Sequence, residues 1–191
     1  SHHLRKFLSD VGPFVSSPLV VDYAESLGIS TETISDPNDE EFIQEIQKLA
    51  VDVIINQSQC ILRDDLLSVP NIGTLNRHNA LLPKNRGRLT PFWVLYKGED
   101  KTGVSIHFVE EDIDSGDIIV QKSFPVRPRD TFKSTVDQCY QLAGKAMIEA
   151  LDCVETGEFK VIKNKDENAT YNSVPTLQEA LDYRMKRIFR N

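Results

Sequence analysis

The sequence predicts an α/β domain with a mostly parallel sheet and flanking helices. Three observations predict it. Apolar residues at helical intervals from Phe42 to Ala50 lead directly into the apolar, β-branched run 51–55, the helix-then-strand alternation of a parallel sheet. The chain has 191 residues, enough for one sizeable core, and contains neither an internal repeat nor a linker that would divide it. Asn76 and His78 stand at the end of the next apolar run, where open α/β sheets place their chemistry.

The elements follow in order. Residues 19–27 read as a helix closed by Gly28, and residues 29–34 as a short strand. Asn38 and Glu41 have the spacing of a capping box, which starts a helix running to Ala50. Run 51–55 is expected to be a strand buried on both faces, and 75–78 the strand after it. Residues 83–91 form a loop rich in Lys, Arg and Gly, and Trp93 and Tyr96 lie in a short helix that stops at Gly98. Runs 104–109 and 118–124 read as strands separated by the turn 110–116. Val136, Cys139, Tyr140, Ala143, Met147, Ala150, Leu151 and Val154 share one apolar face of a long helix ended by Gly157. Thr176 and Glu179 repeat the capping-box spacing and open a last helix.

Composition narrows the function classes. Forty per cent hydrophobic and 27% charged residues are ordinary for a soluble globular protein, and no apolar run reaches the length of a membrane span. A net charge of −7 opposes general attraction to polyanions. Arg184, Lys186, Arg187 and Arg190 make a local basic patch, read either as a solvated helix face or as a phosphate contact. Cys60, Cys139 and Cys153 are widely spaced in apolar or helical surroundings and read as reduced core thiols of a cytoplasmic protein; they carry no metal spacing.

The chemistry gathers in Leu75-Asn76-Arg77-His78-Asn79-Ala80-Leu81-Leu82-Pro83, together with Asp114-Ser115-Gly116-Asp117-Ile118-Ile119. Strand alternation turns Asn76 and His78 to the same face. An amide donor, an imidazole and a carboxylate are equipment for acyl transfer: one group to hold an oxyanion, one to move a proton, one to orient the imidazole. His107 sits in a core strand, where a histidine bonded to backbone is the commoner reading. Asp117 reads as a turn-former or a substrate contact.

Asn-x-His-x-x-Leu-Leu-Pro, then Arg86-Gly87, then the strand 102–109 leading into Asp114-x-Gly-x-Ile-Ile, resembles the formyltransferases that use 10-formyltetrahydrofolate. That family includes the glycinamide ribonucleotide, methionyl-tRNA and sugar-nucleotide N-formyltransferases. The resemblance runs from residue 23 to 121 and more weakly to 191. It implies a Rossmann-like formyltransferase fold over residues 1–191, with Asn76, His78 and Asp114 catalytic. It implies that Cys60, Ile61 and Leu62 line the pterin pocket, unless they are ordinary packing, and that Arg86 and Gly87 meet an anionic acceptor, unless Arg86 is a solvated loop residue. The co-substrate implied is 10-formyltetrahydrofolate, without a metal, and a homodimer is compatible with the resemblance.

Such enzymes open with a strand, a Gly/Ser-containing turn and a helix, and residues 9–14 do not read as that strand. The expectation is that this strand is truncated from, or not ordered within, the 191 residues. The sequence leaves no room for the separate carboxyl-terminal domain with which methionyl-tRNA formyltransferases hold tRNA. The expected acceptor is therefore a small amine, phosphorylated or carried on a nucleotide-linked sugar, and tRNA is not expected. A formyltetrahydrofolate hydrolase and a folate-binding protein without turnover are the rival readings.

Overall fold

The computed structural model describes residues 20–188 except Gln59 and Glu158. The expectations for residues 9–14, Leu19 and Arg190 fall outside the described residues. The chain divides into two compact units, Ser1–Ser35 and Asp36–Asn191. The first contains helix α1 (Val20–Ser26), which has no buried residue and is followed by Gly28 at φ 71°. The strand expected over 29–34 does not form. Among the described residues no strand pairs with this segment, and without a partner a strand's backbone groups have no ladder to join.

The second unit carries the site. Helix α2 (Glu40–Lys48) packs Ile43 against Leu62 and Leu66. Its N-cap is Asp39, without a side-chain cap bond, so the expected capping box is absent. Asn38 is engaged elsewhere: its amide donates to Asp36 Oδ1 at 3.0 Å and to the Ile61 carbonyl at 2.9 Å, and its oxygen accepts the Arg63 N–H at 2.8 Å. A side chain with its hydrogen-bonding capacity spent on a distant loop cannot also cap the helix. It pins residues 61–63 instead.

The main sheet has four strands in the order β1 (Val53–Asn56), β2 (Gly73–His78), β4 (Lys101–Phe108), β5 (Ile118–Pro125). A one-turn helix, α3 (Asp64–Leu67), lies in the crossover between β1 and β2, and this pair alone is parallel. β2/β4 and β4/β5 are antiparallel, so the sheet is mixed where a mostly parallel one was expected. For β4/β5 the reason is plain: the connection 109–117 is too short for the crossover that a parallel neighbour needs. Nor is β1 buried on both faces, for Ile55 is 47% exposed.

Helix α4 (Thr90–Lys97) precedes β4 and ends at Gly98, whose φ of 71° closes the helix in the left-handed region. Helix α5 (Phe132–Thr156) opens with a capping box between Thr131 and Ser134 and lies against β4 and β5. Its Cys139, Ala146, Ala150 and Val154 share the core with Leu75, Val104, Ile106, Ile119 and Val120. Small side chains on the helix let it approach the sheet closely. Burial pushes the Cys139 thiol up to about 11, against a small opposing effect of Arg77. Cys60, by contrast, is exposed and no core thiol. The chain then returns in the two-residue strand β6 (Tyr171–Asn172), parallel to β3 (Arg86–Gly87). In helix α6 (Leu177–Ile188) the expected capping box forms: Glu179 Oε2 accepts the Thr176 N–H at 2.7 Å, and Thr176 Oγ1 accepts the Glu179 N–H at 3.3 Å. Arg184 and Lys186 are exposed on it, with Lys186 Nζ 4.0 Å from the Tyr96 ring centre.

Candidate active site

The loop leaving β2 is stitched down residue by residue. Ser105 Oγ donates to the Ala80 carbonyl and accepts the Leu82 N–H, while Gln121 donates to the Leu82 carbonyl. Asn85, held at φ 57° and almost wholly buried, spends its side chain on three partners. Its oxygen accepts from Lys97 Nζ (2.8 Å) and Asn172 Nδ2 (2.9 Å), and its amide donates to Glu99 (2.8 Å). Burial holds Lys97 below the usual lysine range, with Glu99 opposing and Lys84 reinforcing the effect. This network fixes the Asn85 carbonyl, which accepts the Nε2–H of His78 at 2.7 Å.

With Nε2 so engaged, Nδ1 of His78 faces Asp114 Oδ1 at 3.4 Å. Both ring nitrogens thus face oxygens, one a backbone carbonyl and the other a carboxylate. Asp114 stands at φ 52° in the 109–117 turn, and its other oxygen accepts the Gly87 N–H at 2.8 Å. Burial opposes ionisation of Asp114, but hydrogen bonds from His107 and His78, the charge of His78 and the Gly87 N–H outweigh it. Its carboxyl is held well below the usual carboxylate range.

His107 completes the corner. Its Nδ1 donates to the Phe108 carbonyl at 2.6 Å, the backbone bond expected of a core histidine. The other nitrogen, however, lies 3.2 Å from Asn76 Nδ2 and 3.6 Å from Asp114 Oδ1. Cross-strand pairing sets Asn76 opposite His107. With Nδ1 turned to Phe108, Nε2 is left between the Asn76 amide and the Asp114 carboxylate, and so ties the strand residue to the turn. Local sequence pattern holds no register, so His107 could be read only as core.

These groups open on a cleft of about 1030 Å³ at the carboxyl end of β1 and β2. Asn76, His78, His107 and Asp114 line one wall, and Cys60, Ile61 and Leu62 all line it as well. Residues 21–151 match the model of the formyl transferase family. The chain belongs to that family. Among relatives, it is 31% identical over 140 residues to the methionyl-tRNA formyltransferase of Caldanaerobacter subterraneus subsp. tengcongensis, covering 73% of this chain and 45% of that protein. The chain thus spans less than half the length of that relative. Among solved structures, it is similar to a sugar N-formyltransferase from a Shewanella species (TM-score 0.68, 20% identity, 84% of this chain and 68% of that one). It is also similar to a formyltransferase from Anoxybacillus kamchatkensis in complex with UDP-4,6-dideoxy-4-formamido-L-AltNAc and tetrahydrofolate (TM-score 0.66, 23% identity, 84% and 82%).

Arg86 is not among the residues that line the cleft. Its guanidinium is buried and donates to Asp166 Oδ1 (2.7 Å), the Asn164 carbonyl (2.9 Å) and Asn164 Oδ1 (3.0 Å). Asn164 in turn donates to the carbonyls of Asp114 (2.7 Å) and Gly116 (2.9 Å). Arg86 therefore braces the turn that presents Asp114, with both Nη atoms engaged and only the buried Nε without a partner. Gly87 lines the cleft, but its N–H serves Asp114, and a Cβ there would come within 2.1 Å of the Asn172 carbonyl oxygen. The signals missed in the sequence are Asn164 and Asn172, polar residues in a segment without periodicity. Asp117 pairs with Lys163 at 2.6 Å, consistent with a turn-former.

Proposed function

We propose that this chain carries an N-formyltransferase site that takes the formyl group from 10-formyltetrahydrofolate and passes it to a small amine borne on a phosphorylated or nucleotide-linked scaffold. The observation that carries the reading is the convergence of Asn76, His78 and Asp114 on one cleft, with His78 and Asp114 3.4 Å apart. The donor supplies an activated formyl carbon whose oxygen becomes negative as the amine adds. Asn76 stabilises that charge with its side-chain amide, a contribution of about 3–4 kcal/mol by comparison with oxyanion-hole donors elsewhere. His78 adds positive charge on the same side, oriented by Asp114 and the Asn85 carbonyl. Asp114, kept ionised, relays the proton of the attacking nitrogen, directly or through water, to N10 as the carbon–N10 bond breaks and tetrahydrofolate leaves. Ile61, Leu62 and Val109 offer the apolar faces that a pterin ring requires.

For the acceptor, the Anoxybacillus kamchatkensis neighbour, solved with a UDP-linked formamido sugar and tetrahydrofolate, supports a sugar nucleotide. Similarity to methionyl-tRNA formyltransferases supports the second reading, charged tRNA. The net charge of −7 weighs against the polyanion. The test is incubation with 10-formyltetrahydrofolate and a panel containing amino-sugar nucleotides, glycinamide ribonucleotide and methionyl-tRNA. Transfer to an amino-sugar nucleotide is expected. Robust transfer to methionyl-tRNA overturns the acceptor, release of formate alone makes the chain a hydrolase, and binding without turnover removes the enzyme reading.

A further inference from the structure

Strand alternation that turns Asn76 and His78 to one face of β2 sends Arg77 to the other, toward α5. There its Nε donates to Gln57 Oε1 at 2.8 Å and its Nη1 to Asn79 Oδ1 at 3.1 Å, and its guanidinium carbon lies 4.9 Å from the Tyr140 ring centre. Every one of these partners is neutral. Among the described residues no carboxylate pairs with Arg77, although the chain as a whole carries −7. A guanidinium has five N–H donors in a rigid fork, and the bonds described occupy two. Arg77 thus presents a half-used, uncompensated fork in a fixed orientation, and it lines the same cleft as the catalytic residues.

Its surroundings are specific. Phe132, Val136 and Tyr140 recur every four residues along α5, so they form one stripe, and all three line the cleft although Tyr140 is 58% exposed. Glu110, Glu111 and Asp112, from the turn after β4, also line the cleft and make that part of it acidic. An anion is repelled by those carboxylates and attracted by the lining cations Arg77 and Arg88, and beside Arg77, the one held in a fixed orientation, a planar group finds aromatic and apolar surface.

We infer that Arg77 is the residue that anchors the acceptor's anion, and that the acceptor is a nucleoside-diphosphate-linked amine. Its diphosphate takes the free edge of the Arg77 fork, its base lies along the Phe132–Val136–Tyr140 stripe, and its amine reaches over the end of β2 to Asn76 and His78. Because Arg77 and the catalytic pair point to opposite faces of the strand, an amine and an anion on adjacent atoms cannot satisfy both. The sugar supplies the spacing. This inference rests on the formyl-transfer reading for the identity of the amine but not for the anion site.

Calorimetric titration of the chain with UDP, uridine, inorganic pyrophosphate and 5-formyltetrahydrofolate tests it, using wild type, Arg77→Gln and Arg77→Lys. UDP and pyrophosphate are expected to bind wild type. They should weaken at least about tenfold in Arg77→Gln, the loss expected for hydrogen bonds between charged groups, and less in Arg77→Lys. Uridine and 5-formyltetrahydrofolate should stay within about twofold across all three proteins, by the same scale of charged hydrogen bonds. Unchanged UDP affinity in Arg77→Gln overturns the inference, as does loss of the folate with UDP retained, which would give Arg77 to the donor's glutamate. Should Arg77→Gln fail to fold by circular dichroism, Arg77→Lys decides, since equal binding of UDP to it and wild type also overturns the fork. Wild type that binds UDP but no folate leaves the anion site standing and defeats the formyl-transfer reading.

Discussion

Around the catalytic candidates His78, Asn85, Arg86, Asn164 and Asn172 are each buried and hydrogen-bonded, whereas Cys60, Ile61 and Ile113, which line the cleft, stand open to solvent. The first group is held by hydrogen bonds on several sides; the second offers surface. Differential binding of a transition state needs pre-set donors, and a wall of satisfied polar groups supplies them without reorganisation. Recognition of a flat ligand needs apolar area, which can remain exposed until the ligand covers it. On the proposed function, chemistry belongs to the ordered wall and affinity to the open one.

That division breaks most sharply at Asn76. Asn76→Ala is expected to lower turnover by on the order of 10²–10³ and to leave the affinity for 5-formyltetrahydrofolate nearly unchanged. Equal loss of both, in parallel kinetic and binding measurements, would move Asn76 to the recognition side. Next in size, Arg86→Ala leaves the buried Asn164 acceptors without a donor and should cost about 1–3 kcal/mol, read as a fall in the urea midpoint. If Arg86 braces the Asp114 turn, kcat falls with it while the acceptor KM does not rise; a rise in KM alone would return Arg86 to the acceptor.

Acid sharpens the comparison. Asp114 is ionised more readily in the folded chain than in the unfolded one, so its contribution to stability is present at neutral pH and disappears as pH falls below about 4, the range of an ordinary carboxylate, through its lower folded value. Urea midpoints between pH 6 and 2 should fall more steeply for wild type than for Asp114→Asn; parallel curves would mean that Asp114 is not held as described. The smallest effect belongs to the open wall. Cys60 should be the first of the three thiols to react with an aromatic disulfide, and 5-formyltetrahydrofolate should slow it several-fold, while Cys139 stays inert in the core. Labelling of Cys60 at an unchanged rate in saturating ligand would exclude it from the pterin side.

What the sequence showed and what it hid divide along the same line. Asn76, His78 and Asp114 were legible because the blocks around them resemble those of the formyltransferases, and α5 because its apolar face repeats at the helical period. Apolar runs carry no mark of strand direction, so the antiparallel pairing of β4 had to come from the structure. Nor could the role of Arg86 be read, since its partners Asn164 and Asp166 lie far along the chain in a segment of no periodicity. His107 was visible as a residue and invisible as a neighbour of Asn76, because that contact exists only in the register of β2 against β4.

The two-residue ladder between β3 and β6 gives the catalytic corner a place in time. Arg86 and Gly87 pair with Tyr171 and Asn172, and the entropy of closing so long a loop must be met before that contact rewards it. β2 can carry Asn76 and His78 as soon as the sheet condenses, but Gly87 is settled against Asp114, and Asn85 against Asn172, only when the returning segment docks. A chain caught before that step would have its secondary structure and most of its core, and would still lack an assembled active site.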